Sequence, residues 1–309
     1  MKIVFLYAGQ GSQKVGMGKD IYDHFPQYRE LIDAVDPEYK EMMHNGPLEK
    51  LSETKNTQPC MALFAAGVTA VLYAYGVKPF MVAGLSLGEY SALHAASVFD
   101  SRTLIELVAF RGSEMEKASR GIACKMTAVL GFDKNILKSA CKEAQAFGYV
   151  DIVNYNCPGQ YVICGEEAAV EKVEKLAKEQ GAKRCIAINV SGPFHTKFMQ
   201  PAGNALREKF KETVFLEPLV PVVFNATADF LDSNETIPEL LEKQVQSSVY
   251  FEDSINRLIE KGADTFIEIG HGRVLSGFVK KINQEVMTYS IETADDLVTL
   301  IANAEEFKL

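Results

Sequence analysis

The sequence predicts an α/β protein built on a parallel sheet and interrupted by a smaller βαββαβ unit. Three observations predict it. Residues 2–7, after a charged start, and 80–82 are short apolar runs without alternation, the mark of strands buried on both faces, and 265–269 is a further strand. Each is followed by glycine and then by a helical pattern, as expected where strands and helices alternate. Between residues 122 and 190 the rhythm changes to strand, helix, two strands, helix and strand, the order of a ferredoxin-like split unit.

The opening strand runs into Ala8-Gly9-Gln10-Gly11-Ser12-Gln13. Two glycines allow a close backbone approach, but neither the third glycine of a dinucleotide fingerprint nor the Gly-Lys-Ser/Thr of a phosphate loop is present. Helical patterns follow at 21–35 and 58–75, the second started by Thr57 and Pro59 and stopped at Gly76. Its uncharged stretch, 61–75, is short for a membrane span and is expected to be a core helix.

The strand at 80–82 leads into Gly84-Leu85-Ser86-Leu87-Gly88-Glu89-Tyr90, a G-x-S-x-G pattern between a strand and a helix. Such a nucleophile elbow turns so sharply that residues two before and two after the serine crowd each other, which glycine relieves. Ser86 then stands at a helix N-terminus, where amides and the dipole favour a developing negative charge. An acyl-transfer serine needs a second oxyanion donor from another strand end, and the Gln10 backbone N–H is placed to offer it. His94 lies on the same helix, eight residues on and about 12 Å along the axis, and is expected to be a packed histidine.

Asp100 or Ser101 opens the next helix, on which Leu104, Leu107, Val108, Arg111 and Met115 form one stripe. An arginine on that stripe requires an anionic partner, either a structural ion pair or the carboxylate of a ligand, unless it reaches out to solvent.

In the inserted unit, strands at 126–130, 150–155, 160–164 and 184–190 alternate with helices at 134–146 and 166–180; Asn156-Cys157-Pro158-Gly159 supplies a turn. The larger alternation resumes at Ser191-Gly192-Pro193-Phe194-His195-Thr196. Helices are expected at 197–211, 237–247, 251–261 and 273–282, strands at 221–225, 265–269 and 287–291, and a last helix closes the chain. His195 and His271 both remain as candidate bases for Ser86.

The 309 residues carry a net charge of -9 with no basic run, which argues against a nucleic-acid partner. Six scattered cysteines show neither C-x-x-C nor zinc spacing and read as small buried hydrophobes in a reducing cytoplasm.

Taken together, Gly9-Gln10-Gly11-Ser12-Gln13, Gly84-Leu85-Ser86-Leu87-Gly88-Glu89-Tyr90, Arg111-Gly112, Asn154-Tyr155-Asn156-Cys157-Pro158-Gly159-Gln160, Gly192-Pro193-Phe194-His195 and Glu268-Ile269-Gly270 resemble the malonyl-CoA:acyl carrier protein transacylases of fatty-acid synthesis. The resemblance spans nearly the whole chain. It implies an α/β-hydrolase-like large domain, 1–121 and 191–309, broken by a ferredoxin-like small domain, 122–190, with the active site between them. It implies Ser86 as nucleophile, His195 as general base and then acid, and the Gln244 backbone carbonyl as the group orienting the imidazole. Gln10 and Leu87 would supply the oxyanion N–H groups, and Arg111 would grip the malonyl carboxylate. Malonyl-CoA and acyl carrier protein are the implied partners, with no cofactor, no metal and no membrane, and a monomer is expected. Lys183, Arg184, Lys280 and Lys281 are candidates for meeting an acidic carrier. Ala8, Leu85 and His271 depart from the family's usual proline, histidine and proline. A serine esterase or thioesterase shares the elbow, and a transacylase of polyketide synthesis shares more.

Overall fold

The structure is a computed structural model that describes residues 1–35, 37–188 and 192–303. Four parallel strands form the principal sheet: β1 (Ile3–Tyr7), β2 (Met81–Gly84), β9 (Thr265–Ile269) and β10 (Met287–Ile291), in the order β10-β9-β1-β2. Every residue of β1, β2 and β9 is buried, as expected of strands covered on both faces. Val82 also pairs with Val222 and donates to the Pro221 carbonyl at 3.0 Å, which extends the sheet past β2. The one carboxylate in these strands, Glu268, is fully buried. Its two oxygens accept the Leu275 and Ser276 N–H groups at 3.0 and 2.7 Å, so it caps the helix Val274–Ile282.

The second sheet is antiparallel: β3 (Cys124–Leu130), β4 (Val150–Cys157), β5 (Gln160–Glu166) and β6 (Arg184–Ala187), in the order β4-β5-β3-β6. This is the arrangement that βαββαβ order anticipates. One face packs Val129, Ile152 and Ile163 under its own helices Lys134–Ala144 and Glu167–Glu179. The other turns Met126, Val153 and Val162 toward the core of the principal sheet. β4 shifts register against β5 between Ile152 and Asn154, and its other edge bridges Val249; Val249 donates to the Val153 carbonyl and Tyr155 to the Val249 carbonyl, both at 2.9 Å. The end of the strand expected at 184–190, and the boundary between 190 and 191, lie outside the described residues.

Three expectations need correction. The helix at 21–35 is two, Lys19–His24 and Pro26–Val35, because Pro26 lacks an N–H and starts a new helix more easily than it continues one. The helix expected at 58–75 starts earlier and runs Thr54–Ala74, with Pro59 inside. Thr57 does not cap it; its hydroxyl donates back to the Leu51 and Glu53 carbonyls. This helix is long and apolar enough to cross a bilayer, yet 83% of its apolar window is buried within the protein. The strand expected at 221–225 is shorter, β7 (Val223–Phe224), paired with β8 (Asp229–Phe230). Short helices at Pro37–Asn45 and Leu48–Leu51 carry too few apolar residues to stand out by periodicity.

Candidate active site

The elbow forms where β2 ends. A β-carbon on Gly84 would lie 2.1 Å from the Gly88 carbonyl carbon, and one on Gly88 would lie 2.1 Å from the Tyr7 oxygen. Glycine at both positions is therefore steric necessity, as the pattern predicts. Ser86 takes φ 54°, a left-handed conformation that costs a residue with a side chain about 1–2 kcal/mol. The helix Gly88–Ala95 follows at once.

Ser86 Oγ lies 2.7 Å from His195 Nε2. His195 Nδ1 lies 2.9 Å from the Gln244 carbonyl oxygen. A carbonyl only accepts, so Nδ1 carries the proton and Nε2 is left to accept from the serine hydroxyl. Burial, aided by the nearby Arg111 charge, lowers the imidazole pKa to about 4, while the Gln244 and Ser247 carbonyls oppose the shift. His271 is not part of this arrangement: it is buried against the Phe64 ring, with centroids 4.8 Å apart. His94 is packed as expected, within 2.9 Å of Ser101 Oγ.

Arg111 is fully buried on the helix Ser101–Ser119. Its Nη1 donates to Gln58 Oε1 at 2.9 Å, and its Nη2 donates to Gln244 Oε1 at 2.9 Å and to Ser86 Oγ at 3.2 Å. The guanidinium also stands over the Tyr90 ring, 5.5 Å from its centroid. Among the described residues no carboxylate comes within ion-pair distance of it. Of the partners the stripe argument allowed, a structural ion pair and an escape to solvent are both absent here.

Ser86, His195 and Arg111 open on one cavity of about 320 Å³. Gln10 and Leu87 line it from the β1 and β2 loops, and Met126, Val162, Phe194 and Phe278 supply its apolar walls. Among the described residues, neither the Gln10 nor the Leu87 backbone N–H reaches a protein acceptor. The Ser86 N–H, by contrast, is taken by Asn225 Oδ1 at 2.6 Å. The six cysteines are all free; four are buried and two, Cys124 and Cys185, half-buried. None lines the cavity, and no metal-binding cluster is present among the described residues.

Gln58, Glu89, Asn225 and the side chain of Gln244 were not singled out from the sequence as site residues. Gln58 and Asn225 did leave a signal. Gln58 is a polar residue inside an apolar helix, and Asn225 ends an apolar strand run, where α/β sheets place functional groups.

The acyl transferase domain model matches residues 4–306. The malonyl CoA-acyl carrier protein transacylase of Bacillus subtilis (strain 168) is 40% identical over 310 residues, covering 99% of this chain and 98% of its own. The crystal structure of MCAT from Streptococcus pneumoniae has a TM-score of 0.93 at 41% identity, covering 98% of this chain and 100% of that one. A malonyl-transacylase solved in complex with a type II PKS acyl-carrier protein has a TM-score of 0.94 at 33% identity, over 98% of this chain and 100% of that one. With a serine elbow, an imidazole in contact with it and likeness running from end to end, the chain belongs to the acyl transferase domain family.

Proposed function

We propose that this protein transfers a malonyl group from malonyl-CoA to the phosphopantetheine thiol of acyl carrier protein by way of a malonyl ester on Ser86. The observation that carries the reading is the convergence of Ser86 Oγ, His195 Nε2 and the Arg111 guanidinium on one cavity. In the first half-reaction His195 Nε2 takes the Ser86 proton as Oγ bonds to the thioester carbon. The oxyanion is met by the Gln10 and Leu87 N–H groups, a donor of this kind being worth about 3–4 kcal/mol. The carbon–sulfur bond then breaks, and the coenzyme A sulfur leaves with the proton from His195. In the second half-reaction the carrier thiol gives its proton to His195 and attacks the ester, and Oγ regains a proton as it leaves. Arg111 holds the free carboxylate throughout, which orients the acyl group for the thiol. Side chains and thiols supply every proton and electron pair, so the chemistry calls for no cofactor.

The cavity is lined both by residues of the antiparallel sheet, such as Met126 and Val162, and by residues attached to the parallel one, such as Ser86 and Arg111. This supports a division into a large domain, 1–121 with 191–309, and a small one, 122–190. The site is completed by residues of a single chain, which suits a monomer, and unpaired cysteines suit a reducing cytoplasm.

The direct test is intact mass after mixing with malonyl-CoA and then with carrier protein. A malonyl adduct should appear and then move to the carrier. Prompt hydrolysis of malonyl-CoA without carrier would point instead to a thioesterase.

The pH profile tests the base. Only neutral His195 accepts a proton, and it is the form present above its pKa. As pH falls, kcat/KM for malonyl-CoA should therefore hold and be lost only through about 4. An acid limb at the ordinary imidazole value of about 6.5 would mean the ring is solvated in the working enzyme.

A further inference from the structure

The transfer chemistry leaves Asn225 and Glu89 without a task, yet both are buried beside the nucleophile, at 1% and 0% exposure. A bend at φ 54° keeps its shape only where its surroundings over-determine it. Asn225 provides that constraint with one amide. Its Oδ1 accepts the Ser86 N–H at 2.6 Å, and its Nδ2 donates to the Gly84 carbonyl at 2.7 Å. The side chain thus spans the turn and fixes a peptide group on each side of Leu85. From the other flank Gln244 Nε2 donates to the Ser86 carbonyl at 2.7 Å.

Asn225 is itself anchored twice. Its carbonyl accepts the Tyr250 N–H at 3.0 Å, and its own N–H donates to Glu89 Oε2 at 2.6 Å. Glu89 stands in the first turn of the helix that the elbow opens. The contacts therefore close a ring: from the elbow to the Asn225 side chain, through its backbone to Glu89, and back along one helical turn to Ser86.

We propose that Asn225 and Glu89 are positioning residues for acyl transfer, holding the elbow so that Ser86 Oγ meets His195 and the Leu87 N–H faces the cavity. The proposal rests on the reading of Ser86 as nucleophile. Burial pushes the Glu89 carboxyl up to about 8, and the Asn225 N–H, Arg111 and Gln244 pull it back only in part. A neutral carboxyl still accepts from an amide N–H, and it leaves the Arg111 charge unmatched for a substrate carboxylate. Glutamine reproduces that neutral form and its accepting oxygen; alanine does not.

The test measures the rate of malonyl-serine formation by quenched intact mass, together with malonyl-CoA affinity in a Ser86→Ala background and the thermal midpoint. Asn225→Ala and Glu89→Ala should slow acylation about 100-fold, the cost of displacing a reacting atom by roughly 1 Å, with affinity unchanged. Glu89→Gln should restore the wild-type rate. Asn225→Asp keeps the acceptor for Ser86 but sets a second oxygen against the Gly84 carbonyl, and should slow acylation at least about tenfold. If the alanine variants do not fold, Asn225→Asp decides the matter. Acylation at the wild-type rate in a folded Asn225 or Glu89→Ala variant overturns the proposal. So does a loss of rate that only tracks a loss of affinity and folded protein. A wild-type protein that forms no adduct removes the nucleophile reading, and this proposal with it; a wild-type adduct with equally fast variants removes the proposal alone.

Discussion

Replacing Ser86 with alanine is expected to erase the malonyl adduct from the intact-mass spectrum and to lower transfer to carrier protein by about 10⁴-fold or more. Removing the nucleophile of a serine enzyme costs on this scale because the whole covalent route goes with it. The geometry makes the prediction specific. Ser86 Oγ is within 2.7 Å of the imidazole that would take its proton and 3.2 Å of the Arg111 guanidinium. The six cysteines, the other candidates for acylation, line no part of the cavity, and burial raises each thiol's pKa. Malonyl-CoA should still bind, since the variant keeps Arg111 and the walls. An adduct that persists on another residue would assign the nucleophile elsewhere.

Arg111→Ala should separate substrates rather than lower activity uniformly. Truncating one partner of a buried, hydrogen-bonded charge pair costs about 2–5 kcal/mol. Malonyl transfer should thus fall by roughly 30- to 5,000-fold in kcat/KM. Acetyl transfer, which offers no carboxylate, should change by less than about tenfold. The reason lies in the resting state. The guanidinium is fully buried, yet its neighbours are two neutral amides, Gln58 and Gln244, and a hydroxyl. A positive charge so placed is stabilised only in part, and a dicarboxylic acyl group brings the missing negative charge. Some loss will fall on both substrates, because Arg111 also steadies Gln244, and only the difference reports carboxylate recognition. Equal losses for malonyl and acetyl groups would make Arg111 a structural residue. Lysine should not rescue, since a point charge cannot reproduce the planar fork that reaches Gln58 and Gln244 together.

What could be read from the sequence divides along physical lines. The elbow was legible because the clash of Gly84 with Gly88 is a local steric fact with a fixed spacing. Arg111 stood out because a charged residue broke an apolar period, and the structure places it fully buried. The split at Pro26 was missed because periodicity ran on through a residue that cannot continue a helix. Asn225 and the Gln244 side chain were harder. They act on Ser86 from 139 and 158 residues away, across contacts that no local pattern encodes. Between His195 and His271 the residues alone offered no choice. Only tertiary packing separates them: the Gln244 carbonyl holds His195 at the serine, and Phe64 of the helix Thr54–Ala74 packs against His271.

The bridge from the outer edge of β4 to Val249 has a mechanical outcome. By bridging Val249, the antiparallel layer is stitched to the backbone five residues beyond Gln244, whose carbonyl sets the imidazole tautomer. Ser248 adds a second stitch, its hydroxyl donating to the Ile152 carbonyl at 2.7 Å. A swing of that layer would therefore pull on the backbone that anchors the His195 ring.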